Sequence, residues 1–246
     1  MVDEAIPAAT LIVVKDRPGG PPQLLMVERA EGMAFAAGAW VFPGGRIDVT
    51  DRSLADRLGI EAAAVAAIRE TVEETAVPVG LSPVPRGDML LDLQGALVGD
   101  QPFADLLAAA GLSLDAAALT PFARWVPQFH AVRRFDTIFY VVECPPGEWH
   151  PQVIAGECAS AAWLTAAELL EREKLGEARL IFPTRRTLER LAQHGSFAEI
   201  RADAAAFPIE PITPWVEMHD GDKFITIPSN LGFPVTQERL DGLWRG

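Results

Sequence analysis

Cysteine is nearly absent: Cys144 and Cys158 are the only two in 246 residues. They have no metal-type spacing, which argues against a zinc cluster and a disulfide framework, and they read as reduced thiols. Basic residues are also short, 21 Lys plus Arg against 34 Asp plus Glu, for a net charge of −13. A field of that sign discourages nucleic-acid backbones and anionic membranes as partners. No apolar run approaches the roughly 18–20 residues of a membrane span. The first residues, Met1-Val2-Asp3-Glu4, are acidic where a secretory signal would be basic. Those absences point to a cytoplasmic protein. Internal repeats and low-complexity segments are missing too, and none of the four histidines has a partner at ligand spacing.

What is present is a chain that is 49% hydrophobic, enough for one globular domain over residues 1–246. Residues 8–14 and 23–29 read as two strands joined by a long, Pro/Gly-rich hairpin loop. Residues 39–42 form a short strand entering a Gly-Gly turn. Residues 61–76 read as a helix stopped by Pro78 and Gly80. Residues 81–100 read as irregular, and 103–110 as a short helix. Strand-like runs follow at 122–126, 128–132, 137–142 and 158–164. Thr165 with Glu168 forms a capping box. Helices open near Thr184 and after Ser196, and the tail from 208 is Pro-rich with short strand-like pieces. The layout is a mixed α/β sheet flanked by helices.

The chemistry concentrates in residues 43–77. Pro43-Gly44-Gly45 is a tight turn where backbone can approach a ligand. The helix beyond it carries Glu70, Glu73 and Glu74, whose offsets of three and four put them on one face. Like charges that close repel unless a cation sits between them. Clustered oxygen ligands suit Mg²⁺ or Mn²⁺, which keep open positions for substrate phosphates. Arg69 lies four residues before Glu73 and can pair with it.

These residues resemble the Nudix box, G-x5-E-x7-R-E-U-x-E-E-x-G-U, with U a bulky aliphatic residue. Gly45 matches the first Gly, and Arg69, Glu70, Glu73, Glu74 and Val77 match the second half. Asp51 stands where the first Glu is expected, Thr71 replaces an aliphatic residue, and Ala76 replaces the last Gly. Seventeen residues, 52–68, separate Asp51 from Arg69 where the pattern has seven. This insertion reads as an extra helical turn or two closed by Gly59. Val41–Asp48, Arg133–Thr137 and Ile212–Pro214 are similar to a Nudix branch with a lengthened box, to which a peroxisomal coenzyme A diphosphatase belongs.

The resemblance implies a Nudix-type α/β/α sandwich with a mixed sheet. The core would span about 8–180, with a box insertion at 52–60, an insert at about 78–115 and a helical C-terminal extension from 181. It implies a metal-dependent diphosphatase using Mg²⁺ or Mn²⁺. The expected metal ligands are Glu70, Glu74, Glu73 and the backbone carbonyl of Gly45, with Glu73 alternatively the group that Arg69 holds in place. Arg69, Glu73 and Glu157 are the catalytic candidates, Glu157 as a general base. Arg29 and Arg46 are expected to contact phosphate, while Trp40 and Trp125 are candidates for a base pocket. Arg29-Ala30, Gly38 and Phe42–Gly45 partly match a coenzyme A diphosphatase motif that expects Arg at Ala34. The expected substrate is CoA or acyl-CoA, cut to 3′,5′-ADP and 4′-phosphopantetheine. ADP-ribose, an NADH-type dinucleotide, a nucleotide sugar, and a non-catalytic nucleotide-binding regulator are the alternatives. A homodimer is compatible with the sequence.

Overall fold

A computed structural model describes residues 5–33, 36–126, 134–154, 156 and 158–240. The expected strand at 128–132, together with Ala34, Arg133 and Glu157, lies outside the described residues.

The chain begins with β1 (Ile6–Arg17) and β2 (Gly20–Arg29), joined by only two residues, Pro18 and Gly19. The expected long loop is therefore a tight turn. Pro21 and Pro22 lie inside β2, next to a bulge in the ladder between Lys15 and Arg17 that lets prolines stand in a strand. Then come β3 (Ala39–Val41), β4 (Gly44–Arg46), α1 (Val49–Leu58), α2 (Ala62–Thr75) and β5 (Leu81–Ser82). Next are α3 (Asp88–Val98), α4 (Phe103–Ala110), β6 (Ser113–Leu114), β7 (Thr120–Trp125), β8 (Phe135–Glu143) and β9 (Cys158–Leu164). The rest is α5 (Ala166–Lys174), β10 (Arg179–Leu180), α6 (Phe182–Leu191), α7 (Phe197–Ala206), β11 (Pro211–Ile212), β12 (Trp215–His219), β13 (Asp222–Thr226) and β14 (Gln237–Arg239).

The main sheet is nine-stranded and mixed, with order β10-β3-β2-β1-β8-β7-β11, β4 added to β1 and β9 to β2. β1 and β8 run parallel, and β1 pairs antiparallel with β2 and β4. The unbroken apolar runs of the central strands follow from having both faces covered. In β1, Ala9, Leu11 and Val13 face a core built with α1 to α4. Ile12 and Val14 face a second core built with α5, α6 and α7. β8 divides the same way, Tyr140 and Val142 against Phe139 and Val141. This is the expected α/β/α layering.

The box insertion is α1, a ten-residue helix longer than the turn or two expected. It starts with a reciprocal cap between Asp48 and Asp51 and closes at Gly59, whose φ is +67°. The reading of 81–100 as irregular is overturned by α3. Its buried Leu90, Leu93, Gln94 and Leu97 keep helical spacing behind a stretch punctuated by Pro83, Pro85 and Gly87. The tail adds a three-stranded meander, β12-β13-β14, to the two helices α6 and α7. Ile212, Ile227, Leu231 and Phe233 pack it into the second core. Among the described residues, no helix is long and apolar enough to cross a membrane.

Candidate active site

α2 is built to lie flat on the sheet. Ala63, Ala64, Ala66 and Ala67 are buried together with Val65, Ile68 and Val72, and small side chains let backbone approach backbone. β4 is pinned beside the start of β1, with Ala9 opposite Gly45 and Thr10 opposite Gly44. That approach requires glycine at 44, and at 45 it leaves room for the Glu70 carboxylate. A Cβ on Gly44, whose φ is +153°, would strike the Ala9 carbonyl and Thr10. A Cβ on Gly45 would strike the Glu70 carboxylate. The Gly-Gly turn and the carboxylate face of α2 are thus in contact at Gly44–Glu74 and Gly45–Glu70. The Gly44 N–H donates to Glu74 Oε2 at 3.0 Å, and Cys158 Sγ lies 3.5 Å from Glu74 Oε1. Neither cysteine forms a disulfide.

Arg69 does more than hold Glu73. Its Nη1 donates to Glu73 Oε2 at 3.1 Å. Its Nε and Nη2 grip both oxygens of Asp51 at 2.9 Å each. Nη2 also reaches the Arg46 carbonyl at 3.2 Å and Glu70 Oε1 at 3.0 Å. Burial works against this guanidinium charge, but Asp51, Glu70 and Glu73 outweigh it. Asp51 is buried and spent on Arg69 and on the Asp48 N–H. Its part is to orient Arg69 and cap α1. The signal for it was in the sequence, in the capping spacing of Asp48 and Asp51.

As the side chains stand, no group of three His, Cys, Asp or Glu among the described residues is drawn together to hold an ion. Glu70 and Glu73 lean on Arg69, and Glu74 leans on Gly44. The donor set nonetheless suits a hard divalent cation: carboxylate oxygens beside a backbone turn, with no thiolate or imidazole among them. Its electrostatics point the same way. Burial pushes the Glu70 carboxyl up from 4.5 to about 8; Arg69 opposes the shift, while Glu74 and Glu73 add to it.

That shift has a consequence for stability. Folded Glu70 keeps its proton up to about pH 8, whereas the unfolded chain releases it near 4.5. The unfolded state then binds fewer protons across that window, so stability falls as pH rises through it. Metal-free protein should therefore lose thermal stability from about pH 5 to pH 8 more steeply than the Glu70→Gln variant, and Mg²⁺ should flatten the wild-type slope. Equal slopes in melting curves of the two metal-free proteins would count against the strained carboxyl.

Glu70 and Glu73 open into a cleft of about 560 Å³. Glu70, Glu73, Arg69 and the Gly-Gly turn line one part of it; Arg29 and Arg46, the expected phosphate contacts, are among the lining residues, and the expected ligand Glu74 is not. Three contributions were not foreseen. Arg134 from the start of β8 adds a further cation, Leu97 and Asp100–Phe103 from the α3–α4 turn form a wall, and Ile181, Pro183 and Thr184 bring the start of α6 to the rim. Trp125 lines the cleft beside Phe135 and Phe139. Trp40 does not line it and packs against the second core. Asp136 of the 133–137 segment is taken by Arg124, at 2.8 and 2.6 Å. The candidate base Glu157 lies outside the described residues.

Residues 5–105 match the family model of the NUDIX domain. The fold is similar to the crystal structure of a NUDIX hydrolase from Alicyclobacillus acidocaldarius, with a TM-score of 0.70 and 28% identity over 82% of this chain and 97% of that one. The uncharacterized Nudix hydrolases NudL of Salmonella paratyphi B and Salmonella enteritidis are 44% identical over 71 residues, 29% of this chain. The matched stretch is 31% of those relatives, so they share about a third of their length with this chain.

Proposed function

We propose that this chain acts as a Nudix hydrolase, cleaving a diphosphate bond in a nucleoside-diphosphate-linked substrate with the help of Mg²⁺ or Mn²⁺. The observation that carries this reading is the meeting of the Gly-Gly turn, Glu70 and Glu73 of α2, and Arg29, Arg46 and Arg134 around one cleft, with Glu74 behind the turn on the Gly44 N–H.

Glu70, Glu74 and Glu73 would hold the ion with the Gly45 carbonyl. When bound, such an ion withdraws charge from phosphoryl oxygens and makes a nearby water more acidic. The arginines receive the anionic diphosphate and fix its register. Glu73 is the most exposed of the three carboxylates, its side chain 28% accessible and steadied by Arg69. It stands as either a ligand or the group that takes the proton as water attacks phosphorus. Glu157 is the other candidate for that proton, supported by its place in sequence next to Cys158, which touches Glu74. In the reaction, the water oxygen forms a bond to one phosphorus, the bridging P–O bond breaks, and the second phosphate leaves.

For the substrate's other half we propose CoA or acyl-CoA. Support comes from the branch resemblance around Val41–Asp48 and from a cleft that joins arginines to the apolar Trp125, Phe135 and Phe139. Incubation with CoA, acyl-CoA, ADP-ribose, NADH and a nucleotide sugar, read by product mass, tests it. The expected result is fastest turnover of CoA or acyl-CoA into 3′,5′-ADP and a 4′-phosphopantetheine. Faster cleavage of ADP-ribose or NADH would move the assignment to that substrate. Tight binding without turnover of any of them would make the protein a nucleotide-binding regulator.

A further inference from the structure

The last turn of α2 carries Glu73 and Glu74, and like every helix end it leaves carbonyls without intrahelical partners. Two of them are met from elsewhere in the chain, and the cap residue Ala76 serves a third. Val72 O accepts from the Ala76 N–H at 2.9 Å, and Thr75 O accepts from the Gln152 N–H at 2.8 Å. Glu73 O accepts from Nε2 of Gln94, at 3.1 Å. The same nitrogen donates to Gln152 O at 2.7 Å. An amide NH₂ has two hydrogens, and both are used here on backbone carbonyls, one of α2 and one of the segment between β8 and β9. Gln94 is 2% exposed. It sits on α3 among Leu90, Leu93 and Leu97, which anchor that helix in the core under α2.

We infer that Gln94 is a positioning residue for the metal-binding turn. It joins the insert helix α3, the end of α2 and the segment at Gln152 into one clamp. Its hydrogen bonds fix the backbone from which Glu73 and Glu74 project. A shift of that backbone would move both carboxylates together, and metal ligands tolerate little misplacement. Buried amides with both hydrogens committed are expensive to replace, because each carbonyl left behind loses its partner. The insert between α2 and β7 thereby acts on the site from two sides: Gln94 steadies the ligands, and the turn after α3 walls the cleft. This inference rests on the reading of Glu70, Glu73 and Glu74 as a metal site.

Gln94→Met keeps the side chain's length and burial but removes both N–H groups. Mn²⁺ binding, measured by electron paramagnetic resonance well below the melting temperature, should weaken about 10- to 100-fold. kcat should fall with KM little changed. Amide exchange at residues 73–77 should quicken in metal-free protein. Leu93→Ala, a cavity on the same helix, should lower the melting temperature and leave Mn²⁺ affinity within about twofold of wild type. Should Gln94→Met fail to fold, Gln94→Asn, which keeps a polar amide one methylene too short to reach both carbonyls, decides by the same readouts. Wild-type Mn²⁺ affinity and wild-type exchange in the folded variant would overturn the clamp. Absence of Mn²⁺ binding by the wild type would instead overturn the reading of the site, and the exchange rates of the metal-free proteins would still judge the clamp.

Discussion

Glu74→Gln should lower kcat about 100- to 1,000-fold while the fold survives. That loss corresponds to roughly 2.7–4 kcal/mol of transition-state stabilisation. Glu74 is buried and one of its oxygens accepts the Gly44 N–H at 3.0 Å. Glutamine keeps an oxygen that can accept the same bond, so the contact between the turn and α2 persists. What disappears is one negative charge from the set proposed to hold the cation. The Glu70 carboxyl is pushed up partly by Glu74, so removing that charge also relieves like-charge crowding. The variant should melt at or slightly above the wild-type temperature when both are metal-free. Steady-state kinetics across a Mg²⁺ titration check the prediction. A near-wild-type rate at saturating Mg²⁺ would remove Glu74 from the ligand set.

Arg190→Met should cost stability on the order of 3–5 kcal/mol, the range for breaking a buried ion pair by removing one partner. Arg190 is 1% exposed and joins parts of the chain far apart in sequence. From α6 its Nε donates to Asp203 Oδ2 of α7 at 2.7 Å. Its Nη1 donates to Leu231 O at 3.1 Å and to Phe122 O of β7 at 3.4 Å. The guanidinium also lies 4.2 Å from the Phe122 ring centre, 5.1 Å from Phe207 and 5.3 Å from Phe233. Burial lowers its pKa, and Asp203 resists that shift. Methionine would fill part of the volume but leave the Asp203 carboxylate and the carbonyls of Phe122, Leu231 and Asp203 without this donor. For a chain of this size the expected drop in melting temperature is roughly 6–20 °C. Asp203→Asn in the same background should recover part of it, because the stranded charge is then gone. A loss under about 1 kcal/mol would mean that the tail is held by apolar packing alone.

Local signals in this chain were readable and long-range ones were not. The Arg69-Glu70 to Glu73-Glu74 pattern, the Gly-Gly turn, the helix at 103–110, the strand at 158–164 and the Thr165 cap each depend on residues within a few positions of one another. They were legible for that reason. α3 was missed because Pro83, Pro85 and Gly87 masked a stripe of Leu90, Leu93 and Leu97 that becomes meaningful only once α2 is there to bury it. Arg69 was assigned to Glu73 because those two share a helix. Its two-pronged grip on Asp51 needed the geometry of α1, folded back from 18 positions away. Gln94 carried no signal at all, since a glutamine between Leu93 and Gly95 reads as a solvated position until its carbonyl partners are seen. The cleft's far wall, from Trp125 to Thr184, is assembled from strands and helices that only the sheet order brings together.

The central claim is hydrolysis of a diphosphate at the α2 carboxylates, and product masses in water enriched with oxygen-18 test it most directly. With Mg²⁺ present and CoA or another nucleoside-diphosphate-linked compound as substrate, two phosphate monoesters should appear, one of them carrying a single heavy oxygen. Chelation should stop the reaction and added Mg²⁺ or Mn²⁺ should restore it. Full activity after exhaustive chelation, or a thioester cut that leaves the diphosphate intact, would contradict the account.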